Sequence, residues 1–287
     1  EIYLNNTSSQ EELIDCVKLL YKTQKAICAL TYRHEKTNRI VHKNFRIGVG
    51  ITGICQSMEK LPWLDTCYKE LRKFDKEWSR KRGWPESIKL TTVKPSGTLS
   101  LLAGSTPGLP PSYSQYYIRR VRMSNTDALI PICRKMGYEI EPVIGFDGLA
   151  DKYTAIVSFP CESSAQSVLA KDMTAIDQLN LVKKMLTIWA DNSVSVTIYY
   201  KESELEDIKS WLKDHYADSI KTVSFLRHQD HGFKQAPYEE ITKEQYEEMR
   251  SKINDRLSLT EIAEYINNKN LVPMDGLECT SGACPVR

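Results

Sequence analysis

The feature that most constrains this chain is the alternation of short β-rich runs with long amphipathic helical ones. NFRIGVGITGI, KLTTVK (89–94), SVSVTIYY (193–200) and KTVSFL (221–226) read as strands. Helical patterns separate them over residues 9–30, 63–82, about 174–190 and SELEDIKSWLKDHY. A parallel neighbour is reached only by a crossover, so strands spaced by helices predict parallel βαβ units. In the first helix Ser8 or Ser9 can cap, Glu11 and Glu12 occupy the first turn, and Leu13, Val17, Leu20 and Ile27 form an apolar stripe. Residues 1–6 read as the end of a strand. In FRIGVGITGICQSM a strand runs into a helix, and Gly48, Gly50 and Gly53 permit close backbone approach. YYIRRVRM (116–123), YEIEPVI and YTAIVSF are further strands, with a helix opening at Asn125 or Thr126 and stopping at Gly137. TKEQYEEMRSKI and LTEIAEYI read as helices, TYRHEKTNRIVHKN as a polar loop and QAPYEEIT as a turn. The expectation is one α/β domain, sheet or barrel, followed by a tail of weak periodicity, NNKNLVPMDGLECTSGACPVR.

Composition removes several classes. The formal net charge is +2 over 287 residues, so no global field points to nucleic acid or to an acidic membrane. With 41% hydrophobic and 26% charged residues the chain has the balance of a globular protein, not a disordered one. No apolar run is long enough for a transmembrane helix, and EIYLNNTSSQEELIDC has no signal-peptide pattern. The absent initiator Met gives the expectation of a fragment or a processed chain. Of eight cysteines, six are scattered singly within mixed or apolar runs and read as small hydrophobes in a reducing cytoplasmic setting.

Two constellations carry chemistry. The first is Lys94-Pro95-Ser96-Gly97-Thr98-Leu99-Ser100, where a strand ends, a glycine loop turns and a helix begins. A helix start offers unpaired N–H groups and a positive dipole end to a phosphate, and Ser96, Thr98 and Ser100 add hydroxyls. An ordinary capped strand–helix turn has the same local pattern. The second is Cys279-Thr-Ser-Gly-Ala-Cys284, in which Gly282 permits a tight turn. Metal binding, inert thiols and thiol–disulfide exchange are all open to such a pair. Exchange is favoured, because further zinc ligands are not nearby and a bridge over so short a loop adds little stability. An arm of about 20 residues spans roughly 25 Å r.m.s., enough to serve a core site and an external reductant. Weaker signals are Arg119, Arg120 and Arg122 on one strand, where Arg120 and Arg122 share a face and could hold phosphate or carboxylate or form a solvated edge. His34, His42, His228 and His231 read as hydrated loop residues, and Trp189 and Trp211 as core.

NFRIGVGITGI, TVKPSGTLSLLAGSTPG, QYYIRRVRM, WADNSVSVTI, SFLRHQDHGFKQAPYEEITKEQYEEM and CTSGACPVR together resemble the adenosylcobalamin-dependent (class II) ribonucleotide reductases, in the ribonucleoside-triphosphate reductase type. The resemblance implies the C-terminal part of a ten-stranded α/β barrel over residues 1–266 and a mobile redox-active tail over 267–287. It maps the substrate-phosphate loop onto Pro95, Ser96, Gly97, Thr98 and Ser100, and the redox pair onto Cys279 and Cys284. The family's Asn-x-Cys-x-Glu motif ends on Glu1-Ile2, which makes Glu1 the acid/base on the 3′-hydroxyl and puts the radical cysteine just before residue 1. Cys16 lies too far along a helix to be the family's reducing cysteine. The implied reaction is 2′-deoxygenation of a ribonucleoside triphosphate by a thiyl radical, with adenosylcobalamin as cofactor, thioredoxin or a similar dithiol as reductant, and the N-terminal portion of the enzyme as partner. On that mapping the chain alone is expected to be inactive. The competing reading is an inactive phosphate-binding, thiol-redox accessory module; glycyl-radical and non-haem-iron reductases fit the motifs less well.

Overall fold

The computed structural model describes residues 1–97, 99–145, 148–227 and 235–254, together with 258, 260, 262 and 263. The expected helix LTEIAEYI lies mostly outside the described residues, and residues 267–287 lie wholly outside them. The chain divides into two compact units, one of residues 1–112 and 164–229, the other of 113–163 and 230–287.

The first unit is parallel. Its strands are β1 (Ile2–Tyr3), β2 (Val49–Thr52) and β3 (Thr91–Thr92), joined in that order, with Ile2 opposite Ile51 and Gly50 opposite Thr92. Helix α1 (Gln10–Cys28) follows β1, α2 (Glu35–Asn44) precedes β2, and α3 (Leu61–Arg82) crosses over to β3. A four-residue turn of helix, α4 (Leu99–Leu102), follows β3.

The second unit is a four-stranded antiparallel sheet in the order β5-β6-β4-β9. It comprises β4 (Tyr116–Ser124), β5 (Glu139–Ile144), β6 (Ala150–Glu162) and β9 (Tyr238–Glu240), with α5 (Leu129–Lys135) and α8 (Lys243–Lys252). The chain then re-enters the first unit through α6 (Ala175–Ile188), β7 (Thr197–Tyr200), α7 (Leu205–Ser219) and β8 (Ser224–Arg227), the last two strands being parallel. A parallel bridge from Val93 to Val194 links β3 to the segment entering β7. Parallel segments therefore run β1-β2-β3-β7-β8.

Local chemistry accounts for the helices. Ser9 caps α1 by accepting the Glu12 N–H, and Glu12 Oε2 accepts the N–H of the preceding residue, Ser8, at 2.6 Å. Helix α3 opens with Pro62 in its first turn and stops at Gly83, whose φ of 66° suits a residue without Cβ. Thr174 and Asp177 form a capping box on α6. The buried face of α1 reads Leu13, Val17, Tyr21, Lys25, and that of α3 reads Leu61, Leu64, Cys67, Leu71, Asp75, Ser79. Both stripes keep the helical period, but each carries a buried charge toward its C-terminal end. Lys25 and Asp75 meet at 2.7 Å and are fully buried. Each fully buried Leu contributes about 1.5–3 kcal/mol of transfer free energy, so α1, α3 and α6 hold the parallel sheet chiefly through the apolar part of these faces.

Three sequence expectations differ from the structure. The stretch 31–44 holds helix α2, not only loop. Helix α2 has no buried residue, and Ile40 is 57% exposed, so it lacks the apolar stripe that announces a helix. The strands of 116–162 were expected in parallel units and pair antiparallel instead. QAPYEEIT, read as a turn, contributes β9 to the same sheet.

Candidate functional site

Where β3 ends, the chain turns through Lys94, Pro95, Ser96 and Gly97 into α4. Ser96 takes a φ of 51°, a left-handed conformation that costs a non-glycine residue about 1–3 kcal/mol. The turn sends its hydroxyl across to Glu1, donating to Oε2 at 2.6 Å. The Lys94 ammonium lies 3.3 Å from the same oxygen. The Glu1 side chain is 4% exposed. Its other oxygen, Oε1, is buried and has no hydrogen-bond partner among the described residues. A buried acceptor left open is costly, and such groups concentrate where a ligand supplies the missing donor.

The remaining hydroxyls of the turn are partly committed. Ser100 is fully buried and donates to the Ser96 carbonyl at 2.5 Å, which stabilises the left-handed turn. Gly97 has nothing within 4 Å of the position a side chain would take, so its backbone is open to approach. Pro95 is exposed, and Thr98 lies outside the described residues.

Behind this corner, a frame unseen in the sequence fixes the loop through Gly108. Thr52, fully buried at the end of β2, donates to the Thr106 carbonyl at 2.8 Å and accepts the Gly108 N–H at 2.7 Å. Gln56 accepts the Thr106 N–H at 2.6 Å and donates to the Gly104 carbonyl at 3.0 Å. Asn5 accepts the Ser105 hydroxyl at 2.6 Å. Lys60 donates to the carbonyls of Leu4, Asn5 and Thr7, locking the strand that leaves Glu1. Two glycines make the approach possible. A Cβ on Gly53 would stand 2.3 Å from Asn5 Oδ1, and one on Gly108 would stand 2.5 Å from the Lys94 carbonyl. The only sequence signal for this frame was the density of Gly, Pro and Ser over 95–111, because its partners lie far apart in the chain.

Other sequence candidates do not join the corner. Arg120 is held inside the antiparallel sheet by Glu239 and the Ala236 carbonyl, with Glu141 at 3.9 Å, and β4 is an interior strand. Arg119 lies over the Tyr238 ring at 4.4 Å and donates to the Pro237 carbonyl, whereas Arg122 is exposed. The phosphate-gripping pair is therefore replaced by one internally paired arginine and one solvated one. Cys55 and Cys67 are fully buried, and burial pushes both thiols up to about 12, as suits packed hydrophobes. Cys55 donates to the Leu109 carbonyl. Trp189 and Trp211 are core residues at 1% and 8% exposure. His228, His231, Cys279 and Cys284 lie outside the described residues. Among the described residues no cluster of His, Cys, Asp and Glu could hold a metal ion, and no helix is long and apolar enough to cross a membrane.

Comparison with known proteins places the chain in a family. The family profile for the ribonucleotide reductase barrel domain matches residues 73–226, more than half of the chain. The adenosylcobalamin-dependent ribonucleoside-triphosphate reductase of Euglena gracilis is 37% identical over 283 residues, which cover 94% of this chain and 38% of that protein. The enzyme of that name from Lactobacillus gasseri is 30% identical over 311 residues, covering 96% of this chain and 41% of its own length. A crystal structure of a B-12 dependent (class II) ribonucleotide reductase superposes with a TM-score of 0.77 at 28% identity, over 90% of this chain and 40% of that one. The chain thus spans about two fifths of the length of the proteins it matches. With its parallel strands, its glycine turn and a profile match that runs from α3 through β8, the chain belongs to the ribonucleotide reductase barrel-domain family.

Proposed function

We propose that these residues act as the C-terminal part of the catalytic barrel of an adenosylcobalamin-dependent ribonucleoside-triphosphate reductase, which replaces the 2′-hydroxyl of a ribonucleoside triphosphate by hydrogen. The observation that carries the reading is the Glu1 carboxylate: one oxygen is tied to Ser96 and Lys94, and the other is buried and open. A ribose hydroxyl placed at Oε1 supplies the missing donor, and Glu1 then holds its proton during the reaction. The turn of Pro95, Ser96, Gly97, Thr98 and Ser100 receives the triphosphate on its backbone, since the Ser96 and Ser100 hydroxyls are engaged within the protein.

The net chemistry fixes what else is needed. Two thiols give up two electrons and two protons and become a disulfide. The ribose carbon gains hydrogen, and its hydroxyl leaves as water. Cys279 and Cys284 are proposed as the dithiol that restores the barrel thiols, drawing electrons from thioredoxin or a similar reductant. Adenosylcobalamin supplies radical initiation when bound. Two cavities lined by described residues, one of about 590 Å³ against Lys73, Arg80 and Trp84 and one of about 250 Å³ against Gly137, Glu139 and Met249, are not bordered by Glu1. Adenosylcobalamin is proposed on the strength of the relatives, and a cytoplasmic setting accords with a chemistry that requires free thiols.

The test is deoxyribonucleoside triphosphate formation by the full reading frame that carries this chain, with and without adenosylcobalamin, in the presence of a dithiol. Product that requires the cofactor is expected. Product formed equally without it overturns the proposal.

A further inference from the structure

The Glu1 carboxylate is not held symmetrically, and the asymmetry assigns work to a residue outside the phosphate turn. An ionised carboxylate offers about four acceptor positions on two oxygens. Here both donors, the Ser96 hydroxyl at 2.6 Å and the Lys94 ammonium at 3.3 Å, converge on Oε2, while Oε1 receives none among the described residues.

Lys94 is placed for this by the fold. The preceding residue, Val93, is bridged to Val194, with its N–H donated to the Ser193 carbonyl at 3.1 Å. The Lys94 carbonyl lies against Gly108, so closely that a Cβ there would stand 2.5 Å away. Its stem passes over Gly50, whose missing side chain would stand 3.9 Å from Lys94 Cγ. The backbone of Lys94 is thus pinned on both sides, and the ammonium reaches Glu1 while the side chain remains 41% exposed.

We infer that Lys94 is a positioning residue for Glu1: together with Ser96 it captures Oε2, fixes the carboxylate plane, and leaves Oε1 as the single oxygen offered to a ribose 3′-hydroxyl. The inference rests on the reading of Glu1 given above, and it differs from the simpler use of such a lysine as a direct phosphate ligand. Lys94 acts on the sugar end of the nucleotide through the carboxylate. Loss of its charge frees the carboxylate to rotate about the Ser96 contact and removes the preference for a sugar bearing the hydroxyl.

The experiment measures, by calorimetry on the full-length protein, the dissociation constants of a ribonucleoside triphosphate and of its 3′-deoxy analogue. The wild type is compared with Glu1→Gln, Lys94→Met and Lys94→Arg. A hydrogen bond to a charged group is expected to favour the ribonucleotide by about 10-fold or more in the wild type. In Lys94→Met that preference falls to within about twofold of unity, the affinity for the 3′-deoxy analogue stays within about threefold of wild type, and Lys94→Arg restores the preference. If the preference is large, is lost in Glu1→Gln and persists in Lys94→Met, the inference fails while the role of Glu1 stands. Equal weakening of both ligands in Lys94→Met makes Lys94 a phosphate ligand and also overturns it. A wild-type preference near unity removes the role of Glu1 and the inference with it. Should Lys94→Met not fold, Lys94→Leu, which keeps the Cβ and Cγ that pass over Gly50 and carries no donor, serves the same comparison.

Discussion

Replacing Lys25 by Met should cost this chain a large part of its stability, and the structure shows why. The ammonium is fully buried and reaches Asp75 Oδ1 at 2.7 Å, Ser79 Oγ at 2.7 Å, the Pro85 carbonyl at 2.9 Å and Ser87 Oγ at 3.0 Å. Asp75 in turn accepts the Tyr21 hydroxyl at 2.6 Å and the Ser87 N–H at 2.9 Å. The knot ties α1, α3 and the 85–87 turn together. Removing one member of a buried pair leaves the other charge uncompensated, at about 3–5 kcal/mol. Lys25→Met falls toward the low end, because Tyr21 and Ser87 still donate to the carboxylate. Asp75→Leu falls toward the high end, because the stranded ammonium then has only neutral acceptors. A loss of about 4 kcal/mol, at an m-value of about 2 kcal/mol per molar, lowers the urea midpoint by about 2 M. Against a total of about 5–15 kcal/mol this is decisive for folding. All 5 tryptophans lie in the unit that contains the knot, so their fluorescence reports this transition and not that of the antiparallel sheet. The double replacement strands the Ser87 N–H and the Tyr21 hydroxyl at about 1–3 kcal/mol each, so it is not neutral. Its cost should still fall short of the sum of the single costs by about 2 kcal/mol. Single losses below about 1 kcal/mol, or strict additivity, would refute the reasoning.

The same knot sets an acid limit. Burial pushes the Asp75 carboxyl up, but donation from Lys25, Tyr21 and Ser87 outweighs it and holds the group below the ordinary value of 3.8. Its stabilisation is therefore full above that value and is lost as pH falls further, so urea midpoints measured between about pH 5 and pH 3 should fall more steeply for the wild type than for Asp75→Leu. Gly53→Ala should cost about 1–3 kcal/mol, since φ is +73° and the new Cβ meets Asn5 Oδ1; thermal unfolding measures it, and an unchanged midpoint would contradict the packing described. Cys279→Ser or Cys284→Ser should stop turnover with a thioredoxin-type reductant and partly spare it with a small dithiol; equal loss with both would assign the pair another role.

Local chemistry made much of the parallel unit legible. Ser9, Glu12 and Gly83 announce helix ends through their own side chains or lack of one, and Leu13 and Val17 of the expected stripe are buried, whereas Leu20 is half-buried, Ile27 is exposed, and Tyr21 and Lys25 complete the buried face. Helix α2 was hidden because none of its residues is buried, so no core-facing stripe marks it. The antiparallel sheet was hidden for another reason. Strand β4 pairs with β6 some forty residues on and with β9 more than a hundred on, and neither register is written in β4 itself. At the site, the turn through Ser96 and Ser100 stands out in the sequence, but the use of its hydroxyls does not. Ser96 faces Glu1 only because its φ is 51°, and the two are separated by 95 residues. Thr52, Gln56 and Asn5 were missed likewise: a hydroxyl or amide reveals its purpose only when the distant group it meets is known.

The account turns on the open oxygen of Glu1, and turnover by Glu1→Gln in the full-length enzyme tests it most directly. The amide keeps the shape of the carboxylate and cannot hold the proton. Deoxynucleotide formation should fall by about 100-fold or more while ribonucleoside triphosphate still binds. Turnover at the wild-type rate would show that the carboxylate beside Ser96 and Lys94 takes no part in the chemistry.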